Sequence, residues 1–191
     1  MPASVTLYLA LVGAVAVERL VELGLSRRNA RRAAARGGIA GESPGFYATM
    51  VGTHAAFLVA APLEVLLAER PFLPALGGPM LALVVAAMAL RYWAIAALGE
   101  RWNTRVVVVP GDPVVTSGPY RFVRHPNYVA VALEMLALPL VHTAWLTALV
   151  FSAANAALLA RRIAHEEAAL SHHCDYAARL GGRRRFLPGT R

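Results

Sequence analysis

Long apolar stretches alternate with arginine-rich ones along this chain, and this alternation predicts its elements. Three apolar segments, Ala3 to Leu25, Phe46 to Ala68 and Pro74 to Leu98, each reach the roughly 20 residues that a membrane-spanning helix needs. A fourth apolar block, Asn127 to Ala164, is too long for one helix and is interrupted by Pro139 and a polar pair. We therefore predict a helical hairpin in this block and about five transmembrane helices in all.

The composition agrees with this reading of the pattern. The 191 residues are 58% hydrophobic and have a mean hydropathy of +0.51, whereas soluble domains contain roughly 45–50% apolar residues. The fold class predicted from the sequence is therefore all-α integral membrane. Residues 1–191 would form a single membrane domain, in which residues 1–98 supply the three N-terminal transmembrane helices.

The net charge of +8 follows the predicted topology. All 19 basic residues are arginine. Five lie between the first and second predicted helices, four between the third and fourth, and seven from Arg161 onward, whereas the connections on the other side carry only Arg70. The positive-inside rule then predicts an N-terminus outside and a C-terminus in the cytoplasm. This distribution argues against nucleic acid as a partner and for contact with membrane lipids.

The segments between and beyond the predicted membrane helices carry different structural signals. The glycine-rich linker Gly37 to Gly45 is typical of a flexible loop that only connects two helices. The long connection after Gly99 contains Val106 to Val109, a β-branched run that favours a short extended segment. Pro126 is suited to begin the fourth helix, because the first turn does not need its missing N–H. The last helix continues amphipathically past Arg161 and should project into the cytoplasm.

Polar residues inside the apolar segments are candidates for function. Glu134 lies two turns into the fourth helix, where a carboxylate costs a few kcal/mol unless protein, water or a cation faces it. It is a functional candidate, and a structural hydrogen bond to a neighbouring helix is the alternative. Arg91 and Asn155 could each make such an interhelical bond. Three charged residues near the inner end of the first helix are explained by snorkelling or by pairing with arginines: Glu18, Arg19 and Glu22.

Three ordered motifs in the second half resemble one enzyme family. The strings are GPYRFVRHPNY, then RIAHEEAAL, then DYAARLGGRRRFLPG. Together they resemble the isoprenylcysteine carboxyl methyltransferase family, membrane enzymes that move a methyl group from S-adenosylmethionine to a lipid-borne acceptor. The matching residues are Gly118, Tyr120, Arg124, His125, Pro126, Tyr128, Arg162, Glu166, Glu167, Leu170, Tyr176 and Pro188. The resemblance runs from about Arg91 onward and departs from the family pattern at Ala130, where glycine is usual, and near Arg179, where a second tyrosine is expected.

The resemblance implies a cofactor and a set of site residues. Residues 99–191 would form the cofactor-binding catalytic half, with S-adenosylmethionine as cofactor. The chain has no GxGxxG motif, so the loop and its flanking helices would bind that cofactor. The residues that the resemblance and their chemistry assign to cofactor binding are Tyr120, Arg124, His125, Pro126, Tyr128, Glu166 and Glu167. For the acceptor side we expect Arg162 and Arg105 to orient the reacting oxygen, and Glu134 to act as a base or as an anchor of the cofactor pocket. The single cysteine offers no metal-ligand pattern, and no metal is predicted.

The expected acceptor is a lipophilic small molecule or a lipid. The strings RWNTRVVVVPG and HPNYVAVALE resemble a bacterial branch associated with type III polyketide synthases, whose members O-methylate alkylpyrones or alkylresorcinols. The acceptor is therefore either prenylcysteine-like or a polyketide lipid. A carboxylate or an acidic hydroxypyrone is already anionic near neutral pH, whereas a resorcinol hydroxyl would need a general base. The alternatives are a phospholipid N-methyltransferase, an NADPH-dependent sterol-type reductase, and a noncatalytic membrane subunit or small transporter.

Overall fold

The structure is a computed structural model that describes residues 1–189, and almost all of its regular structure is helical. Its helices are α1 Ala3–Ala35, α2 Pro44–Leu67, α3 Pro74–Leu98, α4 Pro126–Leu140, α5 Trp145–His173 and α6 Tyr176–Leu180. Its strands are β1 Ile39–Ala40 and β2 Val107–Val108, and short 3-10 turns occupy Gly99–Arg101 and Gly118–Arg121. Helix α4 begins at Pro126, as predicted.

Four helices, α1, α2, α3 and α5, are long and apolar enough to cross a membrane. This finding confirms the all-α integral membrane class. Helix α4 has 15 residues and is therefore about 22 Å long, less than the roughly 30 Å hydrocarbon core of a bilayer. The block that was predicted as a helical hairpin contains α4 and α5, which are joined by a turn between Leu140 and Trp145. Helix α4 packs mainly against α3 and α5.

Helix α1 is longer than the hydrophobic pattern predicts. The prediction ended it at Leu25, whereas it runs to Ala35 and carries four of the arginines that were expected in a loop. Its last turns are stabilised by polar contacts to the connection after α3. Asn29 Nδ2 donates to the carbonyl oxygen of Trp102 at 2.8 Å, and Ser26 Oγ lies 2.9 Å from Thr104 Oγ1.

The glycine-rich linker does more than connect α1 to α2, contrary to the prediction. Strand β1 pairs antiparallel with β2, with Ile39 opposite Val108, so the extended segment predicted in the valine run is confirmed. The Gly41 N–H also donates to the carbonyl oxygen of Val106 at 2.8 Å. A Cβ atom at Gly41 would lie 2.6 Å from the Val106 side chain, so this close approach requires glycine.

The charged residues of α1, α3 and α4 form one buried cluster. Glu22 accepts from Arg91 Nε at 2.6 Å and from Arg19 Nη1 at 2.6 Å, while Arg19 Nη2 donates to Glu134 at 2.5 Å. Mutual pairing offsets part of the cost of placing these charges at membrane depth. The contacts of Arg19 and Glu22 confirm that charged residues of α1 are paired with other charged side chains. Asn155 is buried, and within residues 1–189 its Oδ1 has no hydrogen-bond partner.

Candidate active site

A sharp turn brings the first motif against α3. Gly118 has φ +57, and a Cβ atom there would lie 2.7 Å from Ala97 Cβ and 3.3 Å from Trp93 Nε1. The chain then passes through the 3-10 turn to His125, whose backbone N–H donates to the carbonyl oxygen of Arg185 at 3.0 Å. The C-terminal segment therefore lies alongside the motif and fixes the start of α4.

Glu167 is the centre of an ion-pair network behind this turn. Its carboxylate lies 3.0 Å from His125 Nε2 and 3.1 Å from Arg124 Nη1. It also accepts from Tyr176 at 3.1 Å and from Arg185 Nη2 at 2.6 Å. Burial raises the pKa of Tyr176, and the Glu167 charge raises it further, so the phenol stays protonated as a donor. The network joins α5, α6, the turn and the C-terminal segment.

Arg162 is almost completely buried and uses all three of its nitrogen atoms. Its Nε donates to the Tyr128 hydroxyl at 2.8 Å, and its Nη2 to the Thr104 carbonyl oxygen at 2.6 Å. Its Nη1 contacts the Met50 sulfur at 3.1 Å. The Tyr128 hydroxyl in turn donates to Glu166. A thioether is a weak acceptor, so Nη1 is the nitrogen that a ligand oxygen could bind most favourably.

The first of two cavities lies under the connection between α3 and α4, and we call it the loop cavity. It has about 1090 Å³ of empty space, part of it open to the surroundings. The residues that line it come almost entirely from residues 98–180, with Ala33 and Arg36 as the exceptions. Seven of the predicted site residues line it: Arg105, Tyr120, Arg124, His125, Tyr128, Arg162 and Glu166. Burial raises the pKa of Tyr120, and the nearby Glu166 raises it further, so its hydroxyl also remains protonated.

The second cavity lies between the membrane helices, and we call it the membrane cavity. It has about 1210 Å³ of empty space, again partly open. Most of its wall is apolar and comes from α1, α2, α4 and α5, with Leu20, Val51, Leu58, Val131 and Leu159 as examples. Its shape and composition suit the chain of a lipid.

Five residues line both cavities and so form the wall between them. They are Trp102, Asn103, Asn127, Tyr128 and Arg162. A molecule bound in the loop cavity and another in the membrane cavity would therefore meet at this shared wall. The arrangement can hold two ligands of different polarity with their reactive ends adjacent.

Several polar atoms at or near the shared wall are buried without a partner in the described part of the chain. They include Trp102 Nε1, Asn103 Oδ1, Asn127 Oδ1 and, on the loop-cavity side, Nε and Nη2 of Arg124. Buried polar groups in native proteins are nearly always hydrogen-bonded. A polar ligand in either cavity could therefore pair with these groups.

The motifs alone did not reveal four residues of this site. Trp102, Asn103 and Asn127 belong to quoted strings, but no role was predicted for them. Glu42 belongs to the linker; its Oε1 accepts from the Val106 N–H at 3.1 Å, and its Oε2 lies 3.9 Å from Arg162 Nη1. The signal available in the sequence was the cluster of amide and aromatic residues in RWNTR and HPNY.

Three predicted residues line neither cavity. Pro126 is buried and begins α4. Glu167 contacts His125 Nε2 without lining the loop cavity, and Glu134 pairs with Arg19, which itself lines the membrane cavity. These three side chains would influence a ligand through the residues they position.

The long apolar helices define an integral membrane protein, and its two cavities adjoin at the shared wall. The model of the isoprenylcysteine carboxyl methyltransferase (ICMT) family matches residues 80–172, which include α4, most of α5 and the shared wall. The chain belongs to this family and is a membrane methyltransferase.

Two bacterial relatives and one solved structure are similar to the chain. It is 38% identical over 165 residues to the uncharacterized protein YpbQ of Bacillus subtilis (strain 168), covering 85% of this chain and 96% of that protein. It is 36% identical over 93 residues to an uncharacterized protein of Haemophilus influenzae, covering 48% of this chain and 54% of that one. The structure of the eukaryotic intramembrane Ras methyltransferase ICMT matches with a TM-score of 0.48 and 23% identity. That match covers 75% of this chain and 54% of the solved one.

Proposed function

We propose that the protein transfers a methyl group from S-adenosylmethionine to an oxygen of a lipophilic acceptor, either prenylcysteine-like or a polyketide lipid such as an alkylpyrone. The observation that supports this reaction best is the shared wall. The loop cavity, which is the more polar of the two, meets the largely apolar membrane cavity at Tyr128 and Arg162, so a polar donor and a lipid acceptor would be held end to end. In a methyl transfer most of the protein's contribution is this orientation.

The loop cavity has the chemistry to hold the cofactor. Within residues 1–189, two guanidinium nitrogens of Arg124 have no partner and suit the cofactor's carboxylate, and the likewise unpaired amide oxygens of Asn103 and Asn127 suit its amino groups. Glu166 and the aromatic face of Tyr120 lie in the same wall and would stabilise a cation. When bound, the cofactor supplies a methyl group on a sulfonium that leaves as a neutral thioether.

His125 and Glu167 position this side of the site. The two rings of His125 and Tyr128 stack at 5.3 Å, and Glu167 holds His125 at 3.0 Å. Pro126 fixes the backbone between the two rings. We propose that these contacts hold Tyr128 at its position in the shared wall, whether or not a ligand is present.

Arg162 would orient the acceptor. Its Nη1, held only by a thioether and a distant carboxylate, can donate to an oxygen that enters from the membrane cavity. The guanidinium charge stabilises an anionic oxygen and holds it against the shared wall. Arg105 lies 4.2 Å above the Tyr47 ring at the edge of the site, where it would attract an anionic acceptor.

An already ionised acceptor needs no general base in this site. Glu134 was predicted to act as a base or as an anchor of the cofactor pocket, but its carboxylate is committed to Arg19 and it lines neither cavity. We propose that Glu134 anchors Arg19 instead. The acidic hydroxypyrone and the carboxylate are then the favoured acceptors, because Arg162 alone can hold each of them in its reactive state.

The division of the chain and its orientation complete the proposal. Residues 99–191 would bind the cofactor, and residues 1–98 would supply most of the acceptor wall through α1 and α2. The arginine distribution favours a cytoplasmic position for the loop cavity, where the cofactor would be available. The acceptor would enter the membrane cavity sideways from the bilayer.

The function is tested by incubating purified protein with radiolabelled S-adenosylmethionine and, separately, a prenylcysteine, an alkylpyrone and an alkylresorcinol. Mass spectrometry of the product would show whether the methyl group is on oxygen. Transfer to a phospholipid amine instead would contradict O-methylation, and the absence of any labelled lipid would contradict the proposal as a whole. A variant with Arg161 changed to Gln is a suitable control, because this exposed arginine adjoins Arg162 without lining either cavity.

A further inference from the structure

Glu42 has a buried carboxylate that is only half satisfied. Its side chain is 2% exposed. Its Oε1 accepts from the Val106 N–H at 3.1 Å, whereas its Oε2 has no hydrogen-bond partner within residues 1–189. The ion-pair contact of Glu42 in that part of the chain is with Arg162, whose Nη1 lies 3.9 Å from Oε2. Buried charges are normally paired more closely than this.

Both members of this pair are held in place by groups outside it. The Gly41 N–H donates to the carbonyl oxygen of Val106 at 2.8 Å, and the Val106 N–H donates to Glu42. These contacts extend the pairing of β1 with β2 up to the carboxylate. Arg162 is held from the other side by Tyr128 and by the Thr104 carbonyl oxygen. The gap of 3.9 Å is wider than the roughly 2.7–2.9 Å of a hydrogen-bonded ion pair, so the structure keeps the two charges near each other but not bonded.

An anionic oxygen bound to Arg162 would feel the charge of Glu42. A hydrogen bond of roughly 2.9 Å to Nη1 would place that oxygen within about 7 Å of Glu42 Oε2. At an effective dielectric constant of about 20, two negative charges at this separation change a binding constant roughly 10- to 100-fold. Glu42 therefore offsets part of the attraction between Arg162 and an anionic acceptor.

Methyl transfer removes the negative charge on which Glu42 acts. The acceptor oxygen supplies the electron pair of the new O–C bond, the C–S bond of the sulfonium breaks with its electrons on sulfur, and no proton moves. The charge on oxygen is therefore full in the bound acceptor, smaller in the transition state and absent in the product. Arg162 alone would stabilise the bound anion more than the transition state. A nearby carboxylate has the opposite effect, and only such differences change the rate.

We propose that Glu42 is a positioning residue that acts through Arg162, where it weakens the binding of the acceptor anion and thereby lowers the barrier to methyl transfer. This inference rests on the proposed function for the anionic oxygen at Nη1. Glu42 takes no proton in this role. Its charge makes the acceptor bind less tightly and react faster, and it leaves the binding of the neutral methylated product unchanged.

Glu42→Gln tests the charge separately from the shape. Glutamine has nearly the same size and keeps an oxygen that can accept from the Val106 N–H. An N-acetylated prenylcysteine and an alkyl hydroxypyrone, each with its O-methylated product, are titrated into the detergent-solubilised full-length protein without cofactor. Native mass spectrometry measures binding. The variant should bind the anionic lipid about tenfold more tightly than the wild type and bind the methylated lipid equally well.

The same variant should show a split between KM and kcat. With labelled S-adenosylmethionine we expect KM for the lipid and kcat both to fall about tenfold, because the removed charge destabilised the bound acceptor. A purely structural role would instead weaken binding and slow turnover together. Glu42→Asp, which keeps the charge, should stay closer to the wild type in both measurements. Glu69→Gln is the matched control, because Glu69 is an exposed acid beyond α2 that lines neither cavity.

The two proposals fail in different ways. Unchanged binding of the anionic lipid in Glu42→Gln, or tighter binding with an unchanged kcat, would overturn this inference while product formation by the wild type upheld the proposed function. If the anion binds more tightly in the variant but the wild type forms no methylated product, the proposed function fails and the coupling of Glu42 to an anion at Arg162 stands. Failure of the wild type to bind either anionic lipid would overturn both.

Discussion

Arg162 and Tyr128 are hydrogen-bonded at the one wall that the two cavities share. The bond joins the Nε of Arg162 to the Tyr128 hydroxyl at 2.8 Å, and the guanidinium lies 5.7 Å from the Tyr128 ring centroid. Arg162 is on α5 and Tyr128 on α4, so the contact between these two helices forms part of the shared wall.

Arg162→Lys should strongly reduce methyl transfer while leaving the fold intact. A lysine keeps the charge but cannot bind Tyr128, Thr104 and an acceptor oxygen from one planar group. We expect kcat/KM for the lipid acceptor to fall about 100-fold, because orientation is lost at the reacting oxygen. Steady-state kinetics with labelled cofactor would measure this.

The control for that experiment is Arg161→Lys, which changes an exposed neighbour on the same helix. It should behave as the wild type. If Arg162→Lys retained full activity, or lost only cofactor affinity, the role of Arg162 on the acceptor side would be wrong.

Glu167→Gln should weaken cofactor binding rather than the affinity for the acceptor. The amide cannot hold His125, Arg124 and Tyr176 as a carboxylate does, so the side chains of the loop cavity lose their fixed positions. We expect the Kd for S-adenosylmethionine to rise about tenfold, the effect of losing a charge-assisted hydrogen bond. Equilibrium dialysis gives this value directly. Ala168→Ser, an exposed change at the next position, is the control, and an unchanged Kd in Glu167→Gln would contradict the positioning role.

The sequence predicted the helices well, because a span of apolar residues in a membrane has few alternatives to a helix. It also predicted much of the loop-cavity wall, because the motif residues are local and polar. It did not predict that Glu134 would lie against Arg19, since that contact joins positions 115 residues apart. Asn103 and Glu42 were missed for the same reason. Their importance arises only when the connection after α3 and the linker before α2 come together at Arg162.

Glu134→Gln separates the anchoring role from a role as a base. Removing this charge leaves Arg19 with one fewer partner at membrane depth, so we expect the free energy of unfolding to fall by roughly 1–3 kcal/mol. Activity per folded molecule should change little with an ionised acceptor such as a hydroxypyrone. Denaturation in mixed detergent, combined with kinetics on the folded fraction, would measure both. A large loss of kcat confined to hydroxyl acceptors would show instead that Glu134 is a base.

Gly118→Ala should disturb the turn that presents the first motif. An alanine there must adopt φ +57 and place its Cβ 2.7 Å from that of Ala97. The backbone strain alone costs about 1–2 kcal/mol, and the contact with α3 adds to it. Gly111→Ala is the matched control, because Gly111 has φ +80 but no atom within 4 Å of its Cβ position. We therefore expect Gly118→Ala to lower the thermal unfolding midpoint more than Gly111→Ala, and to weaken S-adenosylmethionine binding because Tyr120 moves with the turn. Equal midpoints for the two variants would mean that the turn does not depend on its close packing against α3.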